Sequence, residues 1–270
     1  MPTSIFTLSL SLIVLALGLS ACQQTDTDTT NLDTDSWSCQ TKDSPFTYSV
    51  CRVDASELTS DRYSLQLFWQ SANDSQPLLT FDTLLPTLPE TETLNFAMNA
   101  GMYNENYAPI GYTVIKGKEV KSLNLKEGGG NFHLLPNGVM WWDKAGNVQI
   151  TESHALDEQI NNGNAQPWYA TQSGPMLVIN DEIHPQFNPD STSIKLRNGA
   201  GVCGDGSIQF VNTNEPVTFY QFATLFKDEL GCSNALFLDG GIASALYAPS
   251  IDKQDKKEMG VMIGLVENKN

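Results

Sequence analysis

Residues 234–247 read NALFLDGGIASALY, a short apolar run that stops abruptly at an Asp-Gly-Gly turn. Ala235 to Leu238 has the length and composition of a strand that is buried on both faces. Gly240 and Gly241 let the backbone turn sharply, because glycine adopts positive φ without steric cost. Asp239 is therefore presented at the end of a buried strand, beside bare backbone N–H groups. Such a carboxylate is either a cap for its own turn or an active-site acid whose pKa is tuned by burial.

The helix before this strand is the clearest in the sequence. Apolar residues between Phe219 and Leu230 recur at helical spacing. Thr218 occupies the N-cap position, and Gln221 three residues later completes a capping box. Gly231 is placed to end the helix. A weaker pattern indicates a second helix near residues 154–161.

Strand patterns dominate the rest of the chain. Residues 46–53 and 63–69 alternate apolar and polar side chains, which predicts an antiparallel pair with one face in solvent. Hairpins are predicted at 111–123 and 132–142. Further strands are predicted at 94–98, 168–172 and 176–179, and at 202 and 207–212 around a turn at 204–206. Strands do not alternate regularly with helices. The sequence therefore predicts an α+β fold, with a mixed, largely antiparallel sheet, few helices and a single large domain.

The N-terminus resembles a bacterial lipoprotein signal. Ile5 to Leu19 is almost entirely apolar but shorter than the roughly 20 residues of a membrane span. It ends in Leu-Ser-Ala-Cys, so residues 1–21 are expected to be removed and Cys22 to be lipidated. No Lys or Arg precedes Ile5, which leaves an ordinary cleaved signal or an uncleaved anchor as alternatives. Gln23 after the cysteine favours the periplasmic face of a bacterial outer membrane, reached through the lipid alone.

Composition separates a tether from a folded body. Residues 22–36 are rich in Thr and Asp and nearly free of apolar side chains, so they are interpreted as an acidic tether. Residues 37–268 then form one domain of about 230 residues, ample for a core. The net charge of −16 excludes a nucleic-acid-binding surface, and an anionic substrate would need a local basic contact. The sequence carries no signal of oligomeric state.

The cysteines indicate disulfides. Lipidation of Cys22 would leave four of the five cysteines, an even number in an oxidising compartment. Cys39 and Cys51 flank a short loop and can pair locally, which would stabilise the fold by roughly 3 kcal/mol. Cys203 and Cys232 would then form the second bridge. Three pairings are formally possible, and the local one is favoured.

Metal chemistry finds little support. The cysteines show no C-x-x-C spacing, and His133, His154 and His184 are scattered, so zinc is not expected. No cofactor is predicted, although a divalent cation held by Asp and Asn oxygens stays open. His133 follows a glycine-rich break and could serve as an acid or base. His184 precedes a proline and is predicted to lie in a surface turn.

Four glycine-containing turns each offer one functional side chain. They read NAGMY at 99–103, SGPM at 173–176, RNGAGV at 197–202 and LDGG at 238–241. Together and in this order they resemble the phosphodiester glycosidase superfamily, which includes enzymes that remove N-acetylglucosamine from a phosphodiester. The resemblance is closest to its exported bacterial branch and extends from about residue 96 to residue 265. Further matching stretches are 130–132, 135–139, 217–230 and 234–247.

The resemblance implies hydrolysis of a sugar-1-phosphodiester at the anomeric carbon. Asp239 would be the carboxylate at that carbon, as nucleophile or base. Arg197 would hold the phosphate by a bidentate contact, unless it forms a structural salt bridge. Asn99 would position a sugar hydroxyl or a phosphate oxygen. The remaining substrate-binding residues implied are Gly101, Ser173, Gly174, Asn131, His133, Asn198, Gly240, Gly241 and Ser244. The backbone N–H groups of Gly101, Gly240 and Gly241 would act as hydrogen-bond donors.

Two points stay open at this level. Glycosidases usually employ a second carboxylate, and Glu105, Glu127 and Asp205 are candidates by position only. The superfamily more often carries R-T-A-I-G where this chain reads R-N-G-A-G, so Asn198 departs from the usual pattern. The implied partner is a sugar-phosphate or glycan in an envelope polymer or glycolipid. The alternative function is a non-catalytic carbohydrate- or cell-wall-binding lipoprotein that uses the same cleft.

Overall fold

The computed structural model describes Met1 and residues 36–269. The predicted signal, Cys22 and nearly all of the tether lie outside the described residues. Residues 36–269 belong to one compact unit. Every strand pair described within it is antiparallel, and helices are few, which confirms the predicted α+β class. In the described part of the chain, no helix has the length and apolarity needed to cross a bilayer.

The strands, in chain order, are β1 (Trp37–Lys42), β2 (Tyr48–Asp54), β3 (Tyr63–Phe68), β4 (Glu92–Asn99), β5 (Thr113–Ile115), β6 (Lys118–Lys121), β7 (Gly138–Trp142), β8 (Val148–Glu152), β9 (Tyr169–Ser173), β10 (Met176–Ile179), β11 (Glu182–Ile183), β12 (Asn198–Cys203), β13 (Ser207–Thr213), β14 (Cys232–Leu238), β15 (Leu246–Ala248), β16 (Lys253–Gln254) and β17 (Met262–Asn268). The α-helices are α1 (Phe81–Leu84), α2 (Ser153–Asn161) and α3 (Phe219–Thr224), the last continued by a π-helical turn, Leu225–Glu229. Single 3₁₀ turns cover Ala55–Thr59, Leu85–Thr87, Asn131–His133, Gly241–Ala243 and Pro249–Ile251.

The strands form three sheets around a shared core. Their orders are β1-β2-β13-β12-β14-β10-β11, then β16-β15-β4-β17-β3, and finally β6-β5-β9-β7-β8. The largest cluster of buried apolar residues draws on all three sheets. Phe96 of the second sheet packs against Phe210 of the first, with ring centroids 5.3 Å apart. The ends of strands from different sheets can therefore meet at one place.

Strand β14 lies in the interior of the seven-stranded sheet, as its apolar sequence predicts. It pairs with β12 on one side and β10 on the other, and Leu236 and Leu238 are fully buried. Helix α3 leads into it as expected, with the capping box of Thr218 and Gln221 formed at its N-terminus. Helix α2 occupies the position of the weaker helical pattern.

Two predicted strand pairings are wrong. Strand β2 pairs with β1 and β13, whereas β3 pairs with β17 in another sheet, so the two do not form a hairpin. Alternation of side chains determines which face of a strand is buried but leaves its partner open. Residues 131–133 form a 3₁₀ turn instead of a strand, and β7 pairs with β8, which follows it.

Both disulfides join neighbouring strands. Cys39 of β1 is bonded to Cys51 of β2, and Cys203 of β12 is bonded to Cys232 of β14. The structure thus contains the pairing that the local spacing favours. The second bridge lies at the end of β12 and β14 that is remote from Asp239, because Asn198 pairs with Leu238 at the other end.

Candidate active site

Backbone hydrogen bonds bring three of the glycine turns together at the end of β14. The N–H of Asp239 donates to the carbonyl oxygen of Ala100 at 2.9 Å, which joins β14 to the turn after β4. The N–H of Gly241 donates to the carbonyl oxygen of Leu196 at 2.9 Å, which joins the same turn to the start of β12. Arg197 and Asp239 are consequently the residues at adjacent ends of two paired strands.

The fourth turn flanks β14 on its other side. The N–H of Phe237 donates to the carbonyl oxygen of Pro175 at 3.1 Å. The 99–103 turn is tied to β9, because the N–H of Gly101 donates to Thr171 Oγ1 at 2.8 Å. A Cβ on Gly101 would lie 2.3 Å from the carbonyl oxygen of Gln172, so only glycine fits there. All four turns therefore converge on one region.

Asp239 is a partly buried carboxyl with an altered acidity. Burial raises its pKa to about 6, against the opposing effect of hydrogen bonds from the Gly240 N–H and the Tyr103 hydroxyl. Burial and the charge of Asp239 in turn raise the pKa of Tyr103, which keeps that phenol protonated as a donor. Asp239 is therefore ionised at neutral pH but takes up a proton in mildly acidic solution.

Tyr103 is held in place by close packing. A Cβ on Gly260 would lie 2.6 Å from the Tyr103 ring, so the backbone of Gly260 makes room for it. The rings of Tyr103 and Tyr107 stack with centroids 5.6 Å apart. The Tyr107 hydroxyl donates to Glu258 Oε2 at 2.5 Å. The Glu258 carboxylate is therefore bonded to Tyr107, whose ring stacks on Tyr103, the tyrosine beside Asp239.

An open cleft of about 590 Å³ lies beside the two tyrosines. Its lining consists of Tyr103, Asn104, Glu105, Tyr107, Ile242, Ala243, Lys257 and Glu258. Ile242 is almost fully exposed at its mouth. The cleft combines aromatic and apolar surface with carboxylates, a lining suited to a sugar ring.

The three candidates for the second carboxylate differ in position. Glu105 lines the cleft. Glu127 is exposed in the loop that holds His133. Asp205 lies in the turn after β12, where it pairs with Arg52, so it is at the end of that strand remote from Asp239 and cannot act there. Glu258, which sequence reasoning did not select, is the additional carboxylate of the cleft.

Arg197 is a buried cation. Its side chain is 2% exposed, its Nε donates to the carbonyl oxygen of Val217 at 2.9 Å, and its Nη2 donates to that of Ser193 at 3.2 Å. The guanidinium carbon lies 3.6 Å from the centre of the Phe219 ring. Among residues 36–269, no carboxylate forms an ion pair with it, so the salt-bridge alternative finds no partner there. Burial lowers its pKa to about 10, which still leaves it charged at neutral pH.

Asn99, Asn198 and Ser244 belong to one buried polar network. Asn99 Oδ1 accepts from Asn198 Nδ2 and from the N–H of Ala245, each at 2.8 Å. Ser244 Oγ donates to Asn198 Oδ1 at 2.7 Å. Asn99 Nδ2 is buried without a partner among the described residues. Of this group, Asn99 alone therefore has a side-chain nitrogen that donates to no group in the described chain.

The residues on the far side of β14 are close to one another. Ser173 is fully buried, and its hydroxyl has no partner within the described chain. Gly174 packs against the backbone of Asn131 and Phe132, whose oxygens would lie 3.3 and 2.8 Å from an added Cβ. His133 Nδ1 bonds instead to the carbonyl oxygen of Lys126 at 2.7 Å. The structure therefore joins Asn131 to the 173–174 turn but gives no hydrogen bond between His133 and Asp239.

Two sequence expectations need correction. The N–H groups of Gly101 and Gly241 already donate to Thr171 and Leu196, so they do not serve as free donors to a substrate. His184 is 1% exposed, with its ring stacked on Phe187 at 4.7 Å, and so does not lie on the surface. Across the described residues, no group of three or more His, Cys, Asp or Glu side chains could hold a metal ion.

Among the polar residues of this region that sequence reasoning missed are Tyr103, Asn212, Lys253 and Glu258. Tyr103 stood inside the quoted NAGMY stretch, but only its asparagine and glycine were selected. Asn212, Lys253 and Glu258 come from segments without a motif. The last two lie in a charged run, DKQDKKE at 252–258, that reads as solvated surface. Only the tertiary fold brings them to the site.

Comparisons with known proteins agree on one family. Residues 92–266 match the family model described as phosphodiester glycosidase. The uncharacterized protein YigE of Escherichia coli (strain K12) is 33% identical over 202 residues, which cover 72% of this chain and 76% of YigE.

Solved structures share the fold at low sequence identity. A hypothetical protein from Synechocystis gives a TM-score of 0.59 at 13% identity, over 86% of this chain and 62% of that one, so this chain spans less than two thirds of its length. A second structure is the catalytic domain of zebrafish N-acetylglucosamine-1-phosphodiester alpha-N-acetylglucosaminidase, auto-inhibited by its pro-peptide. It gives a TM-score of 0.59 at 14% identity, over 84% of this chain and 80% of that one. A putative exported protein from Burkholderia pseudomallei K96243 gives a TM-score of 0.54 at 12% identity, over 81% of this chain and 73% of that one.

Proposed function

The chain belongs to the phosphodiester glycosidase family, and on this premise we propose that it hydrolyses sugar-1-phosphodiesters between the anomeric carbon and the phosphate oxygen. The observation that carries the proposal is the buried Arg197 guanidinium, which has no carboxylate partner in the described chain and adjoins the strand end of Asp239. A buried cation is costly without an anion. A phosphodiester supplies that anion.

Asp239 is proposed to act at the anomeric carbon. Its carboxylate is ionised at neutral pH, and the neighbouring Tyr103 hydroxyl favours that ionised form by lowering its pKa. A phosphate leaving group departs with little help from an acid, so stabilising positive charge on the sugar matters more than protonation. Glu105 and Glu258 in the adjoining cleft are the carboxylates available for the water that completes hydrolysis. Arg197 would hold the phosphate, and Asn99 would position a phosphate oxygen or a sugar hydroxyl.

The setting proposed for this reaction is the bacterial envelope. The two disulfides fit an exported protein, and one structural neighbour carries the description "putative exported protein". Lipidation at Cys22 would then anchor the chain to the outer membrane through its tether. The substrate would be a glycan, a glycolipid or a cell-wall polymer. N-acetylglucosamine is the first sugar to test, because the zebrafish neighbour is named for it.

The test is release of free sugar from a panel of sugar-1-phosphodiesters. Asp239→Asn is expected to lower turnover at least a thousandfold. Asp205→Asn is the matched control, since it removes a carboxylate at the far end of β12 and should keep turnover within twofold. If no sugar is released by the unsubstituted chain while calorimetry detects glycan binding, the protein is instead the carbohydrate-binding alternative.

A further inference from the structure

A continuous chain of side-chain hydrogen bonds connects Lys253 to Asn99 through Asn212 and Asn198. We call these four residues the amide relay. Lys253 Nζ donates to Asn212 Oδ1 at 2.5 Å. Asn212 Nδ2 donates to Asn198 Oδ1 at 2.7 Å, and Asn198 Nδ2 donates to Asn99 Oδ1 at 2.8 Å. The three asparagines are at most 3% exposed. The relay is therefore a buried, directional series of donors that starts at a cation.

Both ends of the relay require the same orientation of the amides. An ammonium group has only donors, so Asn212 must turn its oxygen toward Lys253. Each following amide then accepts with its oxygen and donates with its nitrogen. At the other end the N–H of Ala245 donates to Asn99 Oδ1 at 2.8 Å, which independently demands the oxygen there. Asn99 Nδ2 is thereby left over, and it can only donate.

This last donor is unsatisfied inside the protein. Asn99 is 1% exposed, yet its Nδ2 has no partner among the described residues. Leaving such a group unpaired is costly, so a ligand atom or a water is needed to accept from it. Asn99 ends β4 and precedes Ala100, whose carbonyl oxygen accepts from the N–H of Asp239. The free donor is therefore next to the strand end that carries the proposed catalytic carboxylate.

We propose that the amide relay holds Asn99 Nδ2 as a dedicated donor to a non-bridging phosphate oxygen of the substrate, with Lys253 as the positioning residue. The inference rests on the proposed function and deepens it. A donor-only group suits an acceptor-only anion better than a hydroxyl, which can both donate and accept. The positive charge of Lys253 polarises the relay toward its free end and strengthens that preference. Asn99 is thus assigned to the phosphate instead of a sugar hydroxyl.

The first experiment needs no substrate. Side-chain amide signals of the relay asparagines are recorded by NMR in the unsubstituted chain and in Lys253→Met. The relay predicts that the Asn99 δ-amide signals shift or broaden in that variant. Lys256→Met is the matched control, because Lys256 is an exposed lysine paired with Asp82, and it should leave them unchanged. Unchanged Asn99 signals in Lys253→Met overturn the relay.

The second experiment measures which ligand depends on the relay. Calorimetry in an Asp239→Asn background compares the methyl phosphodiester of N-acetylglucosamine 1-phosphate with the neutral methyl α-N-acetylglucosaminide. Lys253→Met is expected to weaken diester binding about tenfold and glycoside binding less than twofold. Asn212→Ala cuts the relay while keeping the lysine charge, so the same selective loss is expected.

The outcomes separate the inference from the proposed function. Equal loss for both ligands, or loss in Lys253→Met without loss in Asn212→Ala, overturns the relay and leaves either a structural role or a long-range charge effect. If the chain binds the glycoside but not the diester, the proposed function fails and the phosphate assignment of Asn99 is overturned with it, whatever the NMR result. Selective loss in both variants supports the relay even if turnover of the panel is absent.

Discussion

Asp239 combines burial with two hydrogen-bond donors, and these act on its acidity in opposite directions. Because its pKa is raised to about 6 and the proposed chemistry needs the carboxylate, kcat/KM should fall below about pH 6, tenfold per pH unit. A phosphodiester stays ionised over this range, so the titration belongs to the enzyme. A pH profile of kcat/KM from pH 4.5 to 8 measures this titration. The control variant Asp205→Asn should show the same acidic limb, that is, the same fall of kcat/KM at low pH.

Tyr103 offers a sharper check on the same titration. Its hydrogen bond lowers the pKa of Asp239, so Tyr103→Phe should move the acidic limb to higher pH. An acidic limb that does not move in this variant would show that Asp239 is not the titrating group, and a limb centred near pH 4 would show that burial does not raise its pKa.

The same burial makes Asp239 a cost to stability. An acid whose pKa is raised on folding binds its proton more tightly in the folded state, so its contribution is fully present below about pH 4 and is lost as the pH rises through about 6. We therefore expect Asp239→Asn to stabilise the protein by about 1–2 kcal/mol at pH 7.5 and to have little effect at pH 4. Urea unfolding at both values measures the difference.

Asp205 provides a comparison of opposite sign. Hydrogen bonding from Ser207, together with Arg52, lowers its pKa, so Asp205→Asn should be slightly destabilising at pH 7.5. A destabilising Asp239→Asn at that pH would contradict the account of its burial, because the carboxylate would then be a net favourable partner in the folded state.

At the scale of elements, local patterns predicted what local physics determines. Three features could be predicted because each depends on residues a few positions apart: the capping box of α3, the apolar run of β14 and the glycine turns. The partners of β2 and β3 were not, because pairing depends on which strands the whole chain brings together. For the same reason Asn99 and Asp239 could be selected from their turns, whereas Tyr103 and Glu258 meet only in the folded protein.

The bridge between β12 and β14 tests how far the two ends of this strand pair are independent. Cys203 and Cys232 enclose a separation of 29 residues, so Cys203→Ala with Cys232→Ala should cost about 3–4 kcal/mol, measured by urea unfolding. The site lies at the other end of the pair, so kcat/KM should stay within about twofold while the protein remains folded. The matched control removes Cys39 and Cys51, with a separation of 12 residues and an expected cost of about 3 kcal/mol. A large loss of activity in the folded Cys203 and Cys232 variant would show that the bridge positions the site.

At the scale of the whole molecule, the candidate site lies where strand ends from three sheets meet. Asn99 belongs to the second sheet, Ser173 to the third, and Asp239 follows a strand of the first. No single sheet contains the proposed chemistry. The order of the four glycine-containing turns along the chain allowed the sequence to indicate a shared site. The division of the strands into three sheets could not be derived from the sequence.

Net charge and local charge oppose each other in this protein, which predicts an unusual response to salt. The chain carries a formal charge of −16, yet Arg197 is a buried cation without an ion-pair partner in its described part. An anionic substrate is therefore repelled at long range and attracted only on contact. Salt screens the long-range repulsion over about 10 Å at 0.1 M and affects the buried contact much less. We expect kcat/KM for a phosphodiester to rise about two- to threefold between 10 and 150 mM NaCl, with binding of a neutral glycoside unchanged as the control. A fall in kcat/KM over this range would mean that exposed cations, and not the buried guanidinium, attract the phosphate.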